Sequence, residues 1–168
     1  MKRIIFISTF LLITLLANAQ LFIGVNTIGS FSTGQNQFIN YGGGGNINVG
    51  YLVKNKIDLI ANFEKQWFSV FGDKYELSSI SGIVKYYPFD KLIKPYLGFG
   101  IGYFHSYLEL PDFELSEYVI GFSPKIGILF KTNLSENLFV NTEFSYKKIF
   151  TRNNINLISL NFGIRYLF

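Results

Sequence analysis

The stretch ISLNFGIRYLF (residues 158–168) alternates apolar side chains with polar or small ones. One set comprises Ile158, Leu160, Phe162, Ile164, Tyr166 and Phe168, and the other comprises Ser159, Asn161, Gly163 and Arg165. Successive side chains of a β-strand point to opposite faces, so this period of two predicts a strand with one apolar and one polar face.

The same period recurs along the chain and predicts eight strands in all. They span about 21–31, 41–52, 57–71, 77–87, 94–107, 117–131, 138–150 and 158–168. Each run reaches the roughly 9–11 residues that a tilted strand needs to cross a bilayer. Pro124 falls within the sixth strand, where it predicts a bulge or irregularity because proline donates no backbone hydrogen bond.

The polar faces of these strands carry charges of both signs, which can pair inside a narrow barrel. The predicted lumen network consists of Asp58, Glu64, Lys85, Lys125, Glu143, Lys147 and Arg165. An eight-stranded interior is just wide enough for side chains to fill, so these residues predict a plugged lumen. Glycines on the same face leave room for bulky neighbours such as Tyr96.

The predicted connections are short on one side and longer on the other. Short inner turns are expected near 54–56, 89–93 and 133–137. Outer loops are expected near 32–40, 72–76, 108–116 and 151–154, of which two are clearly longer. Short inner turns, longer outer loops and an even number of strands are typical of outer-membrane barrels.

The N-terminal residues have the three parts of an export signal. Lys2 and Arg3 precede an apolar stretch, Ile4–Leu16, and Ala17-Asn18-Ala19 is a small-x-small cleavage site. The apolar stretch is shorter than the roughly 20 residues of a membrane-spanning helix. We therefore predict a signal peptide at 1–19, cleaved after Ala19, and one mature barrel domain at 20–168.

The composition suits a protein whose outside contacts lipid. Charged residues make up 15% and aromatic residues 18% of the chain, which leaves too little charge to cover a soluble surface. There is no cysteine, which excludes disulfides, thiol catalysis and thiolate metal sites. The net charge of +4 includes Lys2 and Arg3, and no basic patch survives their removal, so we expect no nucleic-acid partner.

Alternation alone does not say which face is inside, since a soluble lipocalin-like barrel points its apolar face inward. Aromatic residues near the strand ends favour the opposite arrangement, because such girdles mark the two membrane interfaces. They are Trp67, Tyr103, Tyr146 and Phe150 at one end, and Tyr51, Tyr86, Phe130, Tyr166 and Phe168 at the other. The prediction is an all-β, closed, antiparallel up-and-down transmembrane barrel.

Two segments resemble a known family. The ending Phe162-x-Ile164-x-Tyr166-x-Phe168 is similar to the C-terminal signal read by the outer-membrane assembly machinery, and 95–103 (PYLGFGIGY) resembles the glycine-alternating strand of OmpA/OmpX-like and opacity-type barrels. The resemblance implies a bacterial outer-membrane location, with lipid, lipopolysaccharide and the barrel-assembly machinery as partners. The family includes adhesins, immune-evasion proteins, small-solute channels and proteins without known activity.

Candidate chemistry is sparse. Lipid A deacylases share a His-x-Ser-Asn pattern, whereas this chain reads His105-Ser106-Tyr107, with adjacent residues on opposite faces. We therefore predict no catalytic residues, no cofactor and no metal, and we interpret the acidic stretch around Glu114 as a solvated loop. Lys65 and Lys148 have lipid-facing parity, which suits either contact with lipopolysaccharide phosphates or solvation at the rim.

Three hypotheses follow for function. The first is a non-enzymatic barrel that stabilises the envelope or presents its outer loops to a surface partner. The second is a narrow porin-like channel or small-ligand transporter with a continuous lumen. The third is a lipid-A-modifying enzyme that depends on His105, which would require Ser106 on the same wall of the barrel.

Overall fold

The fold is a closed barrel of eight antiparallel strands, each paired with its neighbour in sequence and β1 paired with β8. A computed structural model describes residues 19–33, 41–70, 73–89, 91–110, 113–151 and 154–168. The strands are β1 (Ala19–Ser32), β2 (Tyr41–Val53), β3 (Ile57–Val70), β4 (Asp73–Tyr86), β5 (Ile93–Leu110), β6 (Phe113–Lys131), β7 (Leu138–Ile149) and β8 (Ile155–Leu167). The predicted fold class is confirmed. In the described ranges, no helix is long and apolar enough to cross a membrane.

The strand registers show how steeply the strands are sheared. A path through paired residues passes from Gln20 through Leu52, Asp58, Lys85, Gly98, Lys125, Ser145 and Ser159, and returns to β1 at Ser30. The path therefore closes ten residues further along β1 than it began. Strand number and shear together set the width of a barrel, and at eight strands side chains fill the interior.

The apolar face of the barrel lies outside. In β8, Leu160, Phe162 and Ile164 are each more than half exposed, whereas Ser159 and Asn161 are buried. Aromatic side chains such as Trp67 and Tyr103 lie outward near one end of the barrel, and Tyr86 and Phe168 lie outward near the other. This is the reverse of a soluble barrel, and it gives the apolar outer band with aromatic girdles that a membrane requires.

The end of the barrel that holds Ala19 and Phe168 is called here the terminal end, and the opposite end the distal end. At the terminal end the predicted turn 54–56 joins Val53 to its partner Ile57. Lys54 and Asn55 have φ angles of 49° and 56°, which makes this hairpin tight. Ala19 is the first residue of β1, whereas Ala17 lies outside the described residues, so cleavage after Ala19 stays a prediction.

Two of the four predicted distal loops are wrong. β4 already begins at Asp73, β5 extends to Leu110, and β6 begins at Phe113. Most of 72–76 and 108–116 is therefore strand. β8 likewise starts at Ile155, before its predicted start. The physical reason is that apolar side chains within these stretches, such as Tyr75 and Leu108, pack into the barrel, so the pattern of apolar-outside residues stops before the strands do.

Pro124 interrupts pairing on one side only. β5 and β6 pair continuously through Phe99 and Pro124, whereas the β6–β7 register has no pairs at Ser123 and Pro124 and then resumes unshifted at Lys125. The carbonyl of Ile120 accepts a hydrogen bond from the Phe150 amide, so even-numbered residues of β6 direct their backbone groups toward β7. Pro124 belongs to that set, so its missing N–H weakens that edge. The predicted irregularity therefore occurs at Pro124, as a gap in pairing without a bulge.

Candidate functional site

The structure places all seven predicted lumen residues inside the barrel with buried side chains. They are Asp58, Glu64, Lys85, Lys125, Glu143, Lys147 and Arg165. Among them are three carboxylates and four cations, so at least one carboxylate must serve more than one cation for every charge to be paired. Burial of an unpaired charge is very costly, so the way these groups share partners determines whether the lumen is stable.

The first ion pair joins the last strand to the third. The Arg165 guanidinium donates from Nη1 to Asp58 Oδ2 at 2.6 Å and from Nη2 to Asp58 Oδ1 at 2.8 Å. The Tyr87 hydroxyl donates to the same Oδ2, and the guanidinium lies 3.3 Å from the ring centre of Phe22. A bidentate arginine–carboxylate pair fixes the relative orientation of the two side chains as well as neutralising their charges. It holds β1, β3 and β8 together across the lumen.

The second ion cluster is built around Glu143. Lys85 Nζ lies 2.7 Å from one carboxylate oxygen of Glu143, and Lys125 Nζ lies 2.9 Å from the other. The Tyr96 hydroxyl donates to the first oxygen at 2.9 Å, and the Asn161 amide donates to the second at 2.8 Å. Glu143 is therefore the carboxylate that serves two cations, and it joins strands on opposite walls of the barrel.

Space for the Tyr96 ring comes from a glycine on the neighbouring strand. Tyr96 and Gly127 are register partners in β5 and β6. A Cβ atom at Gly127 would lie 2.5 Å from the Tyr96 hydroxyl and 2.5 Å from the Thr142 carbonyl oxygen. The glycine alternation in this part of the sequence is thus a packing requirement, because the tyrosine ring occupies the volume that another side chain would fill.

The third ion pair lies nearer the distal end. Glu64 accepts hydrogen bonds from the Lys147 ammonium and from the Gln66 amide. Asparagines extend the network through the middle of the lumen: Asn26 donates to Asn46 at 2.6 Å, and Asn141 donates to Asn26 at 3.3 Å. Period two predicts which residues face the lumen in this layer, but it does not predict which of them pair.

Apolar clusters close the polar layer on both sides. The terminal cluster consists of Phe22, Leu52, Ile60, Ile83, Tyr87, Tyr96, Leu129, Phe139 and Leu167. The distal cluster consists of Phe68, Tyr75, Leu77, Phe104, Ile149 and Leu157. A cavity of about 20 Å³ between Asn26, Lys85 and Arg165 has room for about one water molecule. Buried side chains therefore fill most of the polar layer between the two clusters.

His105 and Ser106 lie on opposite faces of β5. Ser106 is buried inside the barrel, whereas His105 faces outward, stacks on Tyr118 with ring centres 4.4 Å apart, and hydrogen-bonds Ser116 at 2.8 Å. The enzyme hypothesis requires both side chains on the same wall of the barrel, and they are not. The acidic side chains at 109, 112 and 114 lie outside the described set, so the expectation for that stretch stays a prediction.

The distal half of β6 has a free backbone edge. β6 pairs with β7 only from Gly121 onward, so within the described residues no strand pairs with that side of residues 113–119. On the other side, β5 pairs with the whole of β6 up to Phe113. By the alternation that follows from Ile120, Ser116 and Tyr118 direct their backbone N–H and C=O groups toward the open side. Such an edge is a template for another extended chain.

The outward lysines lie at the distal boundary of the apolar band. Lys65 Nζ is 2.8 Å from Glu76 and 5.4 Å from the Trp67 ring centre. Lys148 Nζ lies 5.7 Å from the ring centre of Phe150. Both side chains occupy the depth of the distal aromatic girdle, where long cationic side chains are tolerated because they extend toward the polar surface.

The barrel is similar in shape to several solved structures. Neisserial surface protein A has 17% sequence identity and a TM-score of 0.74, with 89% of this chain and 99% of that chain covered. The chain has the fold of a small eight-stranded outer-membrane barrel. The attachment invasion locus protein Ail of Yersinia pestis has 14% identity and a TM-score of 0.59, covering 89% of this chain and 97% of that one.

The outer membrane protein OprG from Pseudomonas aeruginosa has 14% identity and a TM-score of 0.58, covering 90% of this chain and 96% of that one. No protein-family model and no curated protein matches the sequence. At these identities the shared property is the fold.

Replacement of Glu143 by glutamine tests the shared carboxylate. Lys85 and Lys125 would then face each other without a counter-ion, and we expect a loss of about 3–5 kcal/mol in the free energy of unfolding. The measurement is urea unfolding of the refolded barrel in lipid vesicles. The control is Lys125→Gln in the Glu143→Gln background, which removes one stranded cation and should recover part of the loss. Unchanged stability of Glu143→Gln would contradict the role given to this carboxylate.

Proposed function

We propose that this protein is a non-enzymatic, non-conducting barrel of the bacterial outer membrane that presents its distal β5–β6 hairpin at the cell surface. The observation that carries the proposal is the filled lumen, in which two apolar clusters enclose an ion-paired layer. A barrel built this way offers a rigid frame rather than a path for solutes.

The presented element is the hairpin formed by β5 and β6. These strands have 18 and 19 residues, against 12 to 14 for the others, and their distal parts extend past the end of β7. The free edge at 113–119 supports recognition of an extended segment of another protein through backbone hydrogen bonds. Tyr118, which is 77% exposed, supplies a large side chain beside that edge.

Export and membrane assembly belong to the same proposal. The signal peptide at 1–19 would direct export, and Phe162, Ile164, Tyr166 and Phe168 would be read by the barrel-assembly machinery. All four side chains lie on the outer face of β8 or directly after it. Lipid contacts the apolar band, and Lys65 and Lys148 are positioned for lipopolysaccharide phosphates at the distal boundary.

One of the similar structures is that of Ail in complex with the heparin analogue sucrose octasulfate. A sulfated polysaccharide is a poor match for the distal end of this chain. The sequence of its distal segments holds the acidic residues Asp73, Glu76, Glu109, Asp112, Glu114 and Glu117 against the basic residues Lys65, Lys74, Lys148 and Arg152. The proposed partner is therefore a polypeptide segment and not a polyanion.

Conductance separates the scaffold from a channel. We expect planar bilayers containing the refolded mature protein to stay silent, because two apolar clusters fill the lumen on either side of the ion-paired layer. A mobility difference between heated and unheated samples in gels verifies that the barrel has folded, and a porin in the same bilayers serves as the positive control. Steady, reproducible openings would favour the channel hypothesis and contradict the proposal.

Surface presentation is tested by labelling of single cysteines, since the chain has none of its own. Ser116→Cys places a thiol on the distal hairpin, and Lys56→Cys places one in a terminal turn, both at exposed positions. A membrane-impermeant maleimide applied to intact cells should label the first and not the second. Permeabilised cells should show both. Labelling of Lys56→Cys alone on intact cells would reverse the proposed orientation.

The free edge is tested with a peptide library selected on vesicles that contain the barrel. Ser116→Pro removes an N–H from the open side of β6, whereas Ser116→Ala removes only the hydroxyl. For enriched peptides we expect the proline variant to bind at least about tenfold more weakly, the equivalent of roughly one hydrogen bond, and the alanine variant to bind normally. Equal binding to both, or no enrichment over empty vesicles, would contradict edge recognition.

A further inference from the structure

An arc of lysines surrounds half of the terminal end. Lys54 and Lys56 lie in the β2–β3 turn, Lys91 lies in the β4–β5 connection and Lys131 ends β6, and all four residues are exposed. Among the residues that the structure describes, no carboxylate pairs with any of these four ammonium groups. The arc is thus a surface with available positive charge.

The backbone connects the members of the arc. The Lys56 carbonyl accepts a hydrogen bond from the Tyr87 amide at 2.8 Å, and the Leu92 carbonyl accepts one from the Lys131 amide at 3.0 Å. Lys54 and Asn55 have positive φ angles, so the first turn is tight and holds its lysines at a fixed place on the rim. The arc therefore runs without interruption from β2 to β6.

The two ends of the barrel have opposite charge balance. The terminal connections and their flanks hold five lysines, namely Lys54, Lys56, Lys91, Lys94 and Lys131, against Asp90 and Glu136. The distal segments are richer in acidic than in basic residues, as described above. Because the buried lumen charges are nearly balanced, the cation surplus of the barrel is concentrated at the terminal end.

Large apolar side chains accompany the lysines. Phe89, Leu92 and Leu134 lie in the terminal connections and are 56%, 70% and 87% exposed. Tyr86 and Ile93, on the outer face at the ends of their strands, continue this apolar surface into the lipid-facing band. Side chains of this size are unfavourable in water, and aromatic or aliphatic residues beside lysines are typical of the membrane interface.

We propose that this terminal lysine arc is a docking surface for anionic phospholipid headgroups of the leaflet at that end of the barrel. The ammonium groups would contact the phosphates, while Phe89, Leu92 and Leu134 would lie among the upper parts of the acyl chains. Continuity with the lipid-facing band favours a lipid over a soluble polyanion. The inference rests on the membrane-spanning barrel and is independent of the role given to the distal hairpin.

The test is native mass spectrometry of the refolded barrel, residues 20–168, released from micelles with added phosphatidylglycerol or phosphatidylcholine. We expect preferential retention of phosphatidylglycerol. Lys56→Gln/Lys131→Gln should weaken that retention about tenfold, since each cation near an anionic surface contributes severalfold. The matched control is Lys74→Gln/Arg152→Gln, which removes two basic residues from the distal segments and should retain phosphatidylglycerol normally.

Two further arms separate the alternatives. Leu92→Ser/Leu134→Ser keeps every lysine and should reduce lipid retention if the apolar side chains insert. Soluble glycerol phosphate at millimolar concentration should not displace the lipid, and displacement would identify a site for a free anion instead. Equal retention of both lipids would overturn the proposal. An equal loss of phosphatidylglycerol retention in the terminal variant and in the distal control would also overturn it. Gel mobility with and without heating verifies that each variant is folded.

Discussion

The absence of water in the bilayer core is the constraint on which the rest of this structure depends. A backbone amide there has no solvent partner, so each strand must be paired on both sides and the sheet must close on itself. Pairing of β1 with β8 achieves this closure. Where the structure leaves an edge unpaired, at 113–119 of β6, it does so beyond the apolar band, where water is again available.

Closure also means that the polar and charged side chains inside the barrel must find partners without bulk water, because an eight-stranded interior is too narrow to hold it. The side chains inside the barrel are arranged in layers, with an ion-paired layer between two apolar clusters. Charges occur where a counter-ion is within reach: Glu143 meets Lys85 from across the lumen and Lys125 from the neighbouring strand. Apolar clusters pack beyond this layer at each end. Hydrogen bonds from Tyr96 and Asn161 satisfy the remaining oxygen sites of that carboxylate.

Much of this could be predicted from the sequence, because period two is a local property. The strands, their inward charges and the outward apolar residues of β8 all follow from parity. Alternation along a strand shows which face a residue occupies but not which residue it contacts. The pairing of Asp58 with Arg165 therefore could not be derived from the sequence. Parity misleads at the distal end, where Tyr75 packs inward with the apolar distal cluster, so the strand residues 73–76 are predicted as loop.

The Asp58–Arg165 pair has a consequence for how the barrel forms. Its members are separated by 107 residues in the chain, and the β1–β8 seam joins residues still further apart. Contacts of such sequence separation form slowly, because chain entropy must be lost before they contribute stability. Arg165 therefore remains without its counter-ion until the final strand docks, so incomplete sheets gain little from it. The Asp58–Arg165 pair and the seam are therefore expected to form together and late, when β8 docks on β1.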